Sequence, residues 1–157
     1  MNTVTERLAA LGLTLPKAAA PVANYVPFTR SGSIVIVSGQ ICFGHDGKIA
    51  DAHKGKLGAE VSPEDGLEAA RLCGLNVLAQ VQAAVGDLDR GVVQCLRLGG
   101  FINAVPGFHA LAPVMNGASD LMVAVLGDRA RHARSTVGVA GLPLDAAVEV
   151  EAMFEVR

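Results

Sequence analysis

Tryptophan is absent from this chain, tyrosine occurs once and phenylalanine five times in 157 residues. The core must therefore be aliphatic, and the aromatic platforms on which single-stranded nucleic acid stacks are all but missing. Positive charge is not in surplus either. Thirteen Lys and Arg stand against 15 Asp and Glu, for a net charge of −2 and a pI near 6.0. That leaves no basic stripe for a phosphate backbone, so no nucleic-acid partner is expected. No apolar run approaches the ~20 residues of a membrane span, so no membrane partner is expected. The opening Met1–Arg7 lacks the basic-then-apolar order of a secretory signal. Cysteine is scarce: Cys42, Cys73 and Cys95 are far apart, form no Cys-x-x-Cys pair and sit beside Ile41, Leu72 and Leu96. Buried thiols in a reducing compartment follow, and a cytoplasmic location is expected. His45, His53, His109 and His132 show no metal-ligand spacing, so no metal is expected.

What the chain does have is apolar residues, 51% of the total. A surplus of apolar surface in one small domain commonly goes into a subunit interface, so an oligomer is expected. The length fits a single domain spanning residues 1–157, with residues 1–20 as an N-terminal helix and connector arm. A short amphipathic helix is predicted over residues 3–12 (Val4, Leu8, Leu11), then a connector from Pro16 to Pro21. Tyr25–Arg30, the turn Ser31-Gly32-Ser33 and Ile34–Ile41 read as a hairpin whose second strand is apolar enough to be central. Residues 44–60 read as a loop with room for a short strand.

Ser62 at an N-cap, Pro63 at the first helical position and Glu64 in the first turn open a long helix. Leu67, Ala70, Gly74, Leu78, Val81 and Val85 recur along it at helical spacing, and Gly86 ends it. Gly74 is expected to allow close approach to the sheet. A strand over Val92–Val105, interrupted by a bulge or a crowded neighbour at Gly99-Gly100, and a helix over Ala112–Leu126 follow. Asp87–Arg90 reads as a solvated charge cluster. The resulting order, ββ-α-β-α-ββ, is an α+β layout with two helices on one face of a mixed sheet.

The last quarter is the most informative. Strand side chains alternate between faces, so Ser135, Val137 and Val139 share one face and Arg134, Thr136 and Gly138 the other. Val148, Val150, Ala152, Phe154 and Val156 line one face of the final strand, leaving Glu149, Glu151 and Glu155 opposite. If the apolar faces pack on helices, Arg134 and the glutamates share the uncovered face. An arginine there presents a planar fork that fits a carboxylate in a bidentate way. Taken alone, Arg134 could equally be a structural arginine paired with Glu149 or Glu151.

Tyr25 ahead of the hairpin, Val37-Ser38-Gly39-Gln40-Ile41, and Arg134-Ser135-x-Val137-x-Val139 followed by Leu142-Pro143 and Val148-Glu149-Val150-Glu151 carry a resemblance. From Pro21 to Val156 the chain resembles the Rid/YjgF family, reactive intermediate (enamine/imine) deaminases formerly called L-PSP endoribonucleases; Asn116-Gly117-Ala118-Ser119-Asp120-Leu121, the long N-terminal arm and His132-Ala133-Arg134-Ser135 look like its branch of about 150 residues. The resemblance implies a chorismate-mutase-like fold, a homotrimer with a central barrel, and three clefts between subunits. It also implies a site: Arg134 binding the substrate carboxylate, Tyr25, Ser38 and Gly39 lining the cleft, Glu149 near the attacking water, the Thr136 carbonyl orienting that water, and Asn103 as a weaker candidate. It implies no cofactor.

The archetypal deaminases carry Cys and Glu where this chain has Thr136 and Gly138, and the missing acid at Gly138 removes a proton carrier or anchor. The expected function is hydrolytic deamination of small 2-imino or enamine acids to 2-keto acids and ammonia. Its alternative is a non-catalytic cleft that binds or senses a small carboxylate such as a 2-keto or amino acid. Ribonuclease activity fits poorly, given the absences above. Glu151 and Glu155 are read as surface or intersubunit residues, and His132, two residues before Arg134, as sharing its face, where a plain surface histidine is favoured over one that tunes the pocket.

Overall fold

A computed structural model describes residues 2–21 and 23–157; Met1, the first residue of the expected arm, and Val22 lie outside the described residues. Helix α1 (Val4–Ala10) starts where the Thr3 hydroxyl accepts a hydrogen bond from the Glu6 backbone N–H and the Glu6 carboxylate accepts one from the Thr3 backbone N–H, a reciprocal cap that satisfies two otherwise orphaned donors. Strands β1 (Phe28–Ser31) and β2 (Ile34–Ile41) form the expected hairpin. Helix α2 (Pro63–Val85) is capped by Ser62, whose hydroxyl accepts from the Asp65 backbone at 3.1 Å, and stopped by Gly86 at φ 79°. In the Asp87–Arg90 stretch the charged residues are exposed, as expected, and the Asp87 side chain also caps a one-turn helix, α3 (Leu88–Gly91). Strand β3 (Val92–Asn103), helix α4 (Leu111–Leu126), β4 (Ala133–Val139) and β5 (Val148–Val156) complete the chain.

The sheet order is β1-β2-β5-β3-β4, with β3 and β4 parallel and the other neighbours antiparallel. β2 is an interior strand, as its composition implies. α2 and α4 cover one face, and between them and the sheet lie Val35, Val37, Leu78, Val81, Leu98, Ile102, Met122, Val150 and Phe154, all buried. Gly74 serves the helix pair rather than the sheet: a Cβ there would stand 3.1 Å from Leu121 and 3.4 Å from Ala118, both on α4. β3 runs unbroken through Gly99-Gly100, and its register shifts lie earlier, between Val92 and Gln94 and between Cys95 and Arg97. The two glycines answer to crowding: side chains of Glu151 and Met115 lie over them. Cys42, Cys73 and Cys95 are free and buried. Among the described residues no helix is long and apolar enough to cross a membrane.

β4 corrects the face expected for Arg134. Arg134 is registered with Leu98, and Leu98 with Ala152, all on the helix-covered side. Ser135 is registered with Gly99, and Gly99 with Glu151; Val137 with Phe101, and Phe101 with Glu149. The valines of β4 therefore share the open face with the glutamates, and Arg134 turns toward α4. The premise that apolar strand faces meet helices fails here because β4 is an edge strand, with polar residues of α4 beside it. Val137 and Ile36 leave nearly half their area exposed on that open face.

Candidate functional site

Two groups of the expected residues sit at different places on the sheet. The first gathers around β2 and the start of β5. Between Val37 and Gln40 the β2–β5 register shifts, a bulge of the kind that re-aims backbone at functional sites. Gly39 lies in it, and the Glu149 side chain covers the place its Cβ would take, with Cδ at 2.8 Å. Ser38 donates its hydroxyl to the Val26 carbonyl at 2.6 Å, and its backbone N–H to Pro27 at 2.9 Å. It thereby ties the segment that carries Tyr25 to β2. Tyr25, Pro27, Gly39, Gln40, Leu144 and Glu149 are among the residues lining a cleft of about 420 Å³. Ser38 contributes to this cleft by holding its wall.

Glu149 supplies the carboxyl of that cleft. Burial, and after it the negative charge of Glu151, holds this group above the ordinary value of 4.5. Glu151 itself is taken by Arg97 at 3.1 Å. Glu149 has no such cation in its own chain among the described residues, so it takes up a proton more readily than a free carboxylate.

The second group lies on β4. Arg134 makes no ion pair with any carboxylate among the described residues, which excludes a pairing with Glu149 or Glu151 inside one chain. Its Nη1 donates to Asn116 Oδ1 at 2.9 Å and to Ser119 Oγ at 3.0 Å, both on α4. Thr136 points the same way, its hydroxyl oxygen buried without a hydrogen-bond partner among the described residues. Gly138 follows, where a Cβ would meet Leu111 and Ala104 at ordinary distances. It borders a second hollow of about 530 Å³, lined also by Lys56, Val105, Phe108 and Ala140.

Asn103 belongs to neither group. It is fully buried; its Oδ1 accepts from Lys56 Nζ at 2.6 Å and its Nδ2 donates to the Ala146 carbonyl at 3.2 Å. These bonds brace the turn at 143–146, where Leu144 and Asp145 adopt left-handed backbone angles (φ 55° and 58°). Lys56, and the contact of Asn116 and Ser119 with Arg134, could not be read from local pattern, because each acts through a partner remote in sequence. Among the described residues no three His, Cys, Asp or Glu side chains gather as a metal site.

The family described as "YjgF/chorismate mutase-like, putative endoribonuclease" matches residues 5–156. Protein TCP17 of Trypanosoma cruzi is 46% identical over 155 residues, covering 98% of this chain and 94% of that protein. The crystal structure of Atu1372 from Agrobacterium tumefaciens, a protein of unknown function, is 45% identical with a TM-score of 0.90, covering 99% of this chain and 94% of the other. TdcF of E. coli, solved with bound serine, is 26% identical with a TM-score of 0.59, covering 100% and 99% of the two chains. The bulged β2 with its Gly39, the Arg134 strand and the Glu149 strand thus sit in a chain that belongs to the YjgF/chorismate mutase-like family.

Proposed function

We propose that this protein hydrolyses small 2-imino or enamine acids to 2-keto acids and ammonia, at clefts completed between copies of the chain. The observation that carries this reading is Glu149: a half-buried carboxyl with raised proton affinity, set over the bulge backbone at Gly39 in a cleft sized for a small metabolite. Arg134 stands on the opposite face of the sheet, with β3 between β4 and β5. One chain does not bring its guanidinium to its own Glu149. A homotrimer in which Arg134 of one copy meets the Tyr25–Gly39–Glu149 cleft of another would do so. The exposed Ile36 and Val137 supply apolar surface for such an assembly.

In this scheme Arg134 holds the substrate carboxylate, and the Thr136 carbonyl orients a water toward the imine carbon. Water adds across C=N while Glu149 takes its proton and returns it to the nitrogen, giving a carbinolamine; Glu149 then takes the hydroxyl proton and passes it to the amine, and the C–N bond breaks to release ammonia as the ketone forms. Positioning and one proton relay suffice for so labile a substrate. The serine bound to TdcF is a small carboxylate of the size the reading requires.

A second reading keeps the cleft and drops the chemistry. At Gly138 the acidic side chain of the archetypal deaminases is missing, with room left in its stead, which favours a binder of 2-keto or amino acids. The deciding experiment generates 2-imino acids with an amino-acid oxidase, traps them with semicarbazide, and compares wild type with Arg134→Ala. Faster imine loss with wild type alone supports the deaminase. No acceleration by wild type, with Arg134-dependent binding of 2-ketobutyrate, supports the binder.

A further inference from the structure

The function proposed above uses Arg134 as an anion receptor and leaves unexplained what aims it. Nη1 carries two hydrogens, and both are taken, by Asn116 Oδ1 and Ser119 Oγ. These two residues stand three apart on α4 and hence on one side of that helix. Ser119 Oγ lies 2.9 Å from His132 Nε2, and His132 Nδ1 lies 2.5 Å from the Ala130 carbonyl. A carbonyl only accepts, so Nδ1 bears the ring proton, and in the neutral ring Nε2 is an acceptor. The Ser119 hydroxyl must then donate to Nε2, and its lone pair receives Arg134. The chain Arg134→Ser119→His132→Ala130 has one direction, with every donor matched to one acceptor.

This arrangement spends one corner of the guanidinium and leaves the rest. Nε and Nη2 have no acceptor among the described residues. Their hydrogens form a single planar fork, the geometry that takes a carboxylate through two parallel bonds. With Nη1 saturated, no fork that includes it remains available.

We propose that Ser119 and His132 are positioning residues that hold the Arg134 guanidinium so that its Nε/Nη2 edge receives the carboxylate of a small acid. The inference rests on Arg134 being the carboxylate receptor. It gives His132 and the Asn116–Ser119 segment a role: they fix the side chain's rotation before ligand arrives, so that less ordering remains for binding to bring about.

The test is titration calorimetry of the full chain with 2-ketobutyrate and with serine, alongside thermal melting. Arg134→Ala should abolish measurable binding. Ser119→Ala should raise Kd about tenfold, the loss of one hydrogen bond to a charged group. Ser119→Thr, which keeps the hydroxyl, should stay within about twofold of wild type, a rescue that a merely structural role would not produce. His132→Phe removes the acceptor without touching α4 and should weaken binding in the same direction as Ser119→Ala. Long-range ¹⁵N spectra should show the Nδ1–H form of His132 in the wild type. Wild-type affinity in Ser119→Ala or His132→Phe, with binding still lost in Arg134→Ala, would overturn the positioning role alone. Wild-type affinity in Arg134→Ala would overturn the receptor reading, and the positioning role with it.

Discussion

The Glu149 carboxyl lies over Gly39, its Cδ 2.8 Å from where a β-carbon on that glycine would stand. The pair explains why a strand that is otherwise rich in Val and Ile carries a glycine at its bulge: any side chain there would displace the carboxyl of the cleft.

Gly39→Ala is therefore expected to move Glu149 while leaving the fold in place. A displacement of about 1 Å costs on the order of 100-fold in turnover where geometry carries the rate. Overpacking at a partly exposed position should cost about 1 kcal/mol of stability. Imine turnover and a thermal melt on the same preparation separate the two effects. A Gly39→Ala variant as active as wild type would remove Glu149 from the chemistry.

The raised pKa of Glu149 has a definite sign in stability. Ionising a group whose pKa the fold raises is unfavourable to the fold. That penalty is absent below the ordinary value of 4.5 and complete once the pH has passed the folded-state value. Glu149→Gln should therefore melt slightly higher than wild type at pH 7, by a few degrees at most because water screens the half-exposed carboxyl. The difference should close as the pH falls toward 4. The same variant should lose the proton relay, worth roughly 100- to 10,000-fold in general acid–base catalysis. In wild type the acid limb of the rate profile should sit above the ordinary carboxylate range.

How much of this was readable beforehand divides along a physical line. α2 was legible from Ser62 to Gly86 because caps and helical periodicity are local in sequence. The hairpin, the interior place of β2 and the buried thiols followed from composition alone. The face of Arg134 was not legible. Alternation says which residues share a face, and only the tertiary arrangement says what covers it; on β4 the valines face the side without helices. The partner of Gly74 failed for the same reason, since a small residue on a helix reports a close approach without naming its source. Tyr25, Ser38, Gly39 and Glu149 do converge within one chain, whereas Arg134 and Thr136 stand apart from them.

Asn103 offers a test of structural against ligand-binding roles. With its Oδ1 held by Lys56 and its Nδ2 by Ala146, Asn103→Leu strands a buried carbonyl and takes from the lysine ammonium one of two acceptors, leaving it the Ala140 carbonyl. The expected cost is about 2–4 kcal/mol in urea unfolding. The Kd for 2-ketobutyrate should remain within about twofold at temperatures where the variant is folded. A large rise in Kd without loss of stability would return Asn103 to the ligand.

The crossing of α2 and α4 makes the last prediction, through two glycines that differ in what surrounds them. A Cβ on Gly117 would approach the backbone of α2, 3.0 Å from the Leu67 carbonyl carbon and 3.1 Å from the Arg71 nitrogen. Backbone cannot rotate aside, so the helices must separate, and Gly117→Ala should lose about 2–3 kcal/mol. A Cβ on Gly74 instead meets a methyl of Leu121 at 3.1 Å, the far end of a flexible side chain. There Ala also recovers about 1 kcal/mol of helix propensity. Gly74→Ala should consequently fall within about 1 kcal/mol of wild type. Because α4 also carries Asn116 and Ser119, Gly117→Ala should weaken 2-ketobutyrate binding as well as stability, while Gly74→Ala should leave binding intact. Denaturant unfolding and calorimetry on the two variants check both halves. Equal losses in the two would mean that the helix crossing, rather than one backbone contact within it, sets the position of the arginine's partners.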